Sequence, residues 1–228
     1  MTDRVPAMRR EWWFTQLTLF LLAWMLVGPT LEDRWLTHLL MQLFLLNVVL
    51  MTLKANPGWG HARGVMIGFW CLALAGSLVA FAPTPDGWER LARGAETASL
   101  LPLLALLAAG ILRFVYRSRR LTIDGILATA VVYVLIAIMF SRLYLLLLAA
   151  NPQSFDLPVA AAERTPHLLQ VDMLYYSLIT QCSVGYGDIL PATDVARMLA
   201  VIQAVVGQFY MAVVVAVFVG MYATQQRE

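Results

Sequence analysis

Charge is what this sequence has least of. Of its 228 residues only 13% are Asp, Glu, Lys or Arg, against about 25% in soluble domains. So little charge cannot cover a water-facing surface, and the bilayer is the expected solvent. A net charge of +2 builds no phosphate-binding surface, so no nucleic-acid partner is expected. Lysine is nearly missing, with Lys54 alone beside 15 arginines. The two cysteines, Cys71 and Cys182, both lie in apolar stretches, which disfavours a disulfide scaffold and says little about redox compartment. The histidines, His38, His61 and His167, are isolated; such residues can in principle sense pH. With no His/Cys metal cluster, nucleophile–base pair or phosphate-binding loop, neither an enzyme nor a bound cofactor is expected.

Hydrophobic residues make up 61% of the chain, and they are grouped into runs. A membrane span needs roughly 20 apolar residues. Charge-poor runs cover Trp12–Val27, Trp35–Leu53, Gly64–Ala82, Thr97–Leu112, Gly125–Ala150 and Met198–Ala223. A seventh run, Leu168–Val184, is too short and too polar to cross and leads into glycine. Its length suits a re-entrant segment, tolerated at membrane depth only where it is buried in protein or lines water. The expected fold is an all-α membrane protein with six transmembrane helices and one re-entrant segment. The first run follows Arg4, Arg9 and Arg10 as a signal peptide would, but no small-residue cleavage site follows it.

Orientation follows from the excess of basic residues on cytoplasmic segments. With both termini in the cytoplasm, Arg4, Arg9, Arg10, Lys54, Arg63, Arg113, Arg117, Arg119, Arg120 and Arg227 lie inside. Ten of the 14 acidic residues then fall outside. This is the expected topology, with little chain left over for soluble domains. Gating by a tail-borne nucleotide or calcium domain is therefore not expected.

The chemistry concentrates in Tyr175-Tyr176-Ser177-Leu178-Ile179-Thr180-Gln181-Cys182-Ser183-Val184-Gly185-Tyr186-Gly187-Asp188. A dehydrated cation in a bilayer needs oxygen ligands, and backbone carbonyls supply them without burying a net charge. Turning successive carbonyls to one axis requires some residues with positive φ, which glycine adopts at little cost. Gly185 and Gly187, one residue apart, meet that need. A bare Gly-Tyr-Gly could equally be an aromatic turn in a loop.

The segment resembles the pore of potassium channels, whose filter signature is Thr-Val-Gly-Tyr-Gly. Here the filter reads Ser183-Val184-Gly185-Tyr186-Gly187-Asp188, with serine in place of threonine. The resemblance covers roughly residues 124–226. It implies that the carbonyls of Ser183, Val184, Gly185 and Tyr186 hold K+, with the Ser183 hydroxyl adding an innermost ring. Serine lacks the methyl that restricts the threonine rotamer, so a less rigid innermost site is expected. The resemblance also implies that Tyr175 and Tyr176 pack around Tyr186, that Asp188 stands at the outer mouth, and that four chains close the ring as a homotetramer. Asp188 would attract cations or hold the filter by hydrogen bonding. Asp172 would cap or charge the first turn of the pore helix.

Gly207 stands twenty-four residues after Ser183, where the family has its inner-helix gating glycine; a hinge and a close helix contact are both open. Gln208, Met211, Val215 and Val219 follow at steps of three and four, one face of a helix. In the family's register this face lines the cavity, with a hydrophobic gate near Val215, Val219 or Ala223; plain packing against the fifth span is the alternative.

The fourth run, Thr97–Leu112, contains no charge and includes Pro102. A voltage sensor would repeat arginine there, since each charge crossing the field contributes about 2.3 kcal/mol per 100 mV. Arg90 and Arg93 are expected to precede this helix. Arg142, inside the fifth run, is expected to snorkel outward or pair with an outer acid. Arg117–Arg120 reads as an inner anchor that could also meet anionic lipid head groups.

The expected organisation is therefore a four-helix membrane domain over 1–120, resembling a voltage-sensor domain without gating charges, and a pore domain over 121–228. The expected function is passive K+ conduction across a bacterial plasma (inner) membrane, not steeply voltage-gated. A weakly selective cation channel and a non-conducting, modulatory subunit are the alternatives.

Overall fold

A computed structural model describes residues 13–27, 34–56, 58–81, 88–118, 122–158 and 165–225. Seven helices carry nearly all of it. They are α1 (Trp13–Val27), α2 (Arg34–Ala55), α3 (Gly60–Phe81), α4 (Trp88–Ser118), α5 (Ile123–Ala150), α6 (Pro166–Gln181) and α7 (Asp194–Gln225). Two short strands, β1 (Phe155–Asp156) and β2 (Leu190–Pro191), pair antiparallel with Phe155 opposite Pro191. They pin the chain after α5 to the chain that leads into α7.

Four helices contain stretches long and apolar enough to cross a membrane: Gly60–Val79, Gly94–Arg117, Ile123–Ala150 and Asp194–Ala223. The apolar parts of α1 and α2, Phe14–Ala23 and Leu39–Ala55, are shorter. This is a multi-pass membrane protein. Helix α4 differs from its expected bounds, because it starts at Trp88 and runs for 31 residues. Arg90 and Arg93 therefore belong to its first turns rather than preceding it. The helix also continues through Pro102, as membrane helices can when neighbours satisfy the freed carbonyl. Of the inner basic residues, Arg4, Arg9, Arg10, Arg119, Arg120 and Arg227 lie outside the described residues.

Side-chain hydroxyls within the helices bond back to their own backbone: Thr18 to Phe14, Thr52 to Val48, Thr129 to Ile126 and Ser141 to Ile138. Such back-bonding satisfies a hydroxyl where no water is available. Between helices, the Asn56 amide donates to the carbonyl of Gly110 at 3.0 Å, and the Arg113 guanidinium lies 5.8 Å from the Trp59 ring. The α2–α3 connection and the end of α4 thus share one end of the bundle. Near the start of α5, Asp124 accepts from Thr15 at 3.1 Å.

Helix α4 packs against α2, α3 and α5, while α1 packs against α2 and α5. One apolar core runs from Phe14, Phe44 and Leu103 into Ala128, Leu135 and Ile138. A second gathers Phe140, Tyr144, Phe155, Met173 and Tyr176. Helix α5 belongs to both, so it carries the second core, and with it the re-entrant segment, on the same helix that closes the first.

Arg142 is 7% exposed, close enough to the buried Glu96 of α4 for a charge–charge interaction. The arginine is buried rather than snorkelled, and the acid whose charge reaches it is Glu96. A charge pair inside the bundle is far cheaper than either charge alone.

Candidate functional site

Helix α6 opens with Thr165 at the N-cap, whose hydroxyl accepts from the Leu168 N–H, and Pro166 in the first turn. Proline there costs nothing, because that N–H would be unpaired anyway. The cap is therefore Thr165. Asp172 lies further along the helix and takes no part in its first turn.

The helix ends at Gln181, and the chain doubles back on itself. Ser183 N–H donates to Thr180 O at 3.0 Å, Val184 N–H to Ile179 O at 2.8 Å, and Gly185 N–H to the same Ile179 O at 3.3 Å. Positive φ occurs at Ser183 (57°), Gly185 (54°) and Gly187 (80°), while Val184 and Tyr186 between them stay negative. Alternating handedness sets successive N–H groups on one side of a strand, and its carbonyls on the other. The N–H side of this strand is tied to the end of α6. A left-handed serine costs about 1–2 kcal/mol, so its neighbours must hold it there.

Past the glycines, the Tyr175 hydroxyl donates to Asp188 Oδ2 at 2.8 Å, and its ring stacks on Tyr186 with centroids 6.5 Å apart and planes 8° from parallel. That bond raises the Tyr175 pKa above the ordinary phenol value, so the phenol remains a donor. Asp188 is thus held as a hydrogen-bond anchor. Tyr176 turns the other way within the chain, edge-on to Tyr144 at 5.1 Å and Phe155 at 5.2 Å. Of the two tyrosines, only Tyr175 touches Tyr186 in this chain.

The family model described as "Ion channel" matches residues 127–224. The protein LctB of Bacillus caldotenax is 32% identical over 101 residues, covering 44% of this chain and 75% of that protein. LctB of Geobacillus stearothermophilus is 32% identical over 102 residues, with the same two coverages. The chain belongs to the ion channel family. A channel passes ions without converting them, so the protein is not an enzyme. No solved structure matches it significantly.

Behind the strand, this ion channel carries a polar network centred on Gln203 of α7, which is 0% exposed. Its Oε1 accepts from the Tyr144 hydroxyl at 2.6 Å. Its Nε2 reaches Ser177 O at 3.0 Å, Ser177 Oγ at 2.6 Å and Gln181 Oε1 at 3.2 Å. The Ser177 hydroxyl donates onward to Ala137 O at 2.7 Å. Gln181 Nε2 donates to Tyr133 O at 2.7 Å, and the Tyr133 hydroxyl returns a bond to Gln181 O at 3.0 Å. The network thus bonds α6 to both α5 and α7. Sequence reasoning missed Gln203, Ser177, Gln181, Tyr133 and Tyr144. The signal was an isolated glutamine in an apolar run, since polar groups at membrane depth are expensive and usually have a partner.

Gly207 is buried, and a Cβ added there would lie 2.6 Å from Gln181 O and 2.8 Å from Gln181 Cγ. Helix α7 runs unbroken through this position. The close-contact reading therefore has a direct structural account, because only glycine lets α7 approach the end of α6 this closely. One residue on, Gln208 Nε2 donates to Ser183 Oγ at 2.7 Å. Met211, Val215 and Val219 are all exposed on the single chain. Among the described residues, no group of three or more His, Cys, Asp or Glu is placed to hold a metal ion.

Proposed function

We propose that four copies of this chain form a potassium-selective channel in a bacterial inner membrane, with six spans per subunit and both termini cytoplasmic. Residues 1–120 form the surrounding four-helix domain and residues 121–228 the pore. The observation that carries this reading is the alternation of backbone handedness at Ser183, Gly185 and Gly187, on a strand whose N–H groups are engaged by α6. That arrangement frees the carbonyls of Ser183, Val184, Gly185 and Tyr186 to replace the hydration shell of K+.

One chain supplies one such strand, and a ring of carbonyls needs four. The exposure of the filter supports this, with Val184 at 51% and Tyr186 at 71%. So does α7, which leaves Val201, Val205 and Phe209 uncovered. Neighbouring subunits and lipid tails would cover these groups. Below the filter, Gln208, Met211, Val215 and Val219 face the cavity, where a hydrophobic ring can close the pore by dewetting. The uncharged stretch Thr97–Leu112 supports weak voltage dependence. The stimulus then arises in the filter and helices themselves, or from lipid, tension, protons or a partner.

The test is K+ flux into liposomes containing the purified protein, with barium as blocker. Barium-sensitive flux that favours K+ over Na+ is the expected result. Equal passage of the two ions would replace this reading with a weakly selective cation channel. No flux under varied voltage, pH and lipid would replace it with a modulatory subunit.

A further inference from the structure

The sequence sets a specific problem at the innermost ring of the filter. Ser183 has no γ-methyl, so its hydroxyl is free to choose among rotamers that a threonine would restrict. It also sits in the left-handed region with φ of 57°, which side chains bearing a Cβ rarely adopt. Two features therefore work against a well-defined hydroxyl position. A hydroxyl oxygen carries two lone pairs and one proton, and an ion site needs a lone pair that points consistently at the ion.

The amide of Gln208 answers this. Its Nε2 donates to Ser183 Oγ at 2.7 Å, which occupies one lone pair and leaves the second available. The amide is carried on a long apolar helix, and the residue before it, Gly207, is packed directly on Gln181. Gln181 in turn accepts from Tyr133 through its carbonyl and donates to the Tyr133 carbonyl through its side chain. The donor is thus held by the same contact that fixes the end of α6. Its position relative to Ser183 is set by packing rather than by a flexible loop.

We propose that Gln208 is a positioning residue for ion selectivity, holding the Ser183 hydroxyl in one orientation and so replacing from outside the constraint that a threonine methyl supplies from within. The inference rests on the potassium-channel reading above. It adds that the serine filter and the glutamine five residues beyond the buried Gln203 on α7 work as a pair. Gln208 acts on the filter through the Ser183 hydroxyl, so its effect is on which ion is favoured, not on assembly.

The experiment compares wild type, Gln208→Leu, Ser183→Thr and the double variant in liposomes, reading the K+/Na+ permeability ratio and the thermal stability of the detergent-solubilised protein. Gln208→Leu should lower the ratio about 5-fold or more, the equilibrium effect of losing one net hydrogen bond, while leaving thermal stability unchanged because the side chain is exposed. Ser183→Thr added to Gln208→Leu should restore the ratio, since the methyl again restricts the hydroxyl. Gln208→Asn, one methylene shorter, should behave as Gln208→Leu and serves if the leucine variant is poorly produced. An unchanged ratio in these variants overturns the proposal. A lowered ratio that Ser183→Thr does not restore also overturns it, because Gln208 would then act by another route. Wild-type protein that fails to prefer K+ sinks the potassium-channel reading itself, a result distinct from either.

Discussion

Replacing Gln203 by leucine tests the pore's internal support most directly. Leucine nearly matches glutamine in volume, so little cavity is created; the change is one of hydrogen bonding. Gln203 is fully buried, and it partners Tyr144, Ser177 and Gln181. In its absence the Ser177 hydroxyl keeps its bond to Ala137 O. The Tyr144 hydroxyl and Gln181 Oε1, on residues both 0% exposed, lose the partners described above. A buried orphan costs about 1–3 kcal/mol. Interhelical bonds within membranes average about 0.6 kcal/mol and reach about 1.7, because the unfolded chain also finds partners there. On that membrane scale the two lost bonds together cost about 1–3 kcal/mol per subunit.

The assay is thermal or denaturant unfolding of the purified protein in detergent, run as a double-mutant cycle with Tyr144→Phe. Removing the tyrosine hydroxyl together with Gln203 eliminates one orphan. The double variant should therefore be less destabilised than the sum of the singles, by about 0.5 kcal/mol or more. Gln203→Leu within about 0.3 kcal/mol of wild type, or strict additivity in the cycle, would refute the reasoning. Ion flux should fall alongside stability, since the same bonds hold α6 beneath the filter.

Other perturbations separate readings that share a residue. Gly207→Ala places a methyl within 2.6 Å of a backbone oxygen, so α7 must retreat from α6; a loss of about 1–3 kcal/mol in detergent stability is expected, as for overpacked cores. Unchanged stability with altered open probability would instead favour the hinge. Val219→Asp places a charge in the hydrophobic ring expected to dewet, and planar-bilayer recordings should show constitutive conduction. Gating like that of wild type would remove the gate from that position.

Much of the candidate site is legible one residue at a time. Gly185 and Gly187 announce positive φ because no other residue adopts it cheaply, and both have it. Ser183 does not announce it, because it bears a Cβ; its N–H donates to Thr180 O, and its hydroxyl accepts from Gln208 on the distant α7. Helix α4 extends further at its N-terminal end than the uncharged run Thr97–Leu112, because apolar counting stops at the first charge, Glu96, which is buried inside the helix. The sequence alone points to Asp172 as a first-turn residue because the true cap, Thr165, lies beyond the apolar run.

The sequence by itself determined the solvent, the helical class and the location of the re-entrant segment with its two glycines. Each of these follows from local properties: apolar run length against bilayer thickness, and glycine against positive φ. Tertiary structure alone decided what supports that segment. It paired Tyr175 with Asp188 and sent Tyr176 into the core. It made Gln203 a junction and Gly207 a point of contact with Gln181. Those assignments depend on which faces of α5, α6 and α7 meet. A helical run specifies its apolar residues, but when it is apolar on every side it does not specify which face a neighbour covers. The sparse polar side chains mark the contacts, and only their packing shows which ones they join.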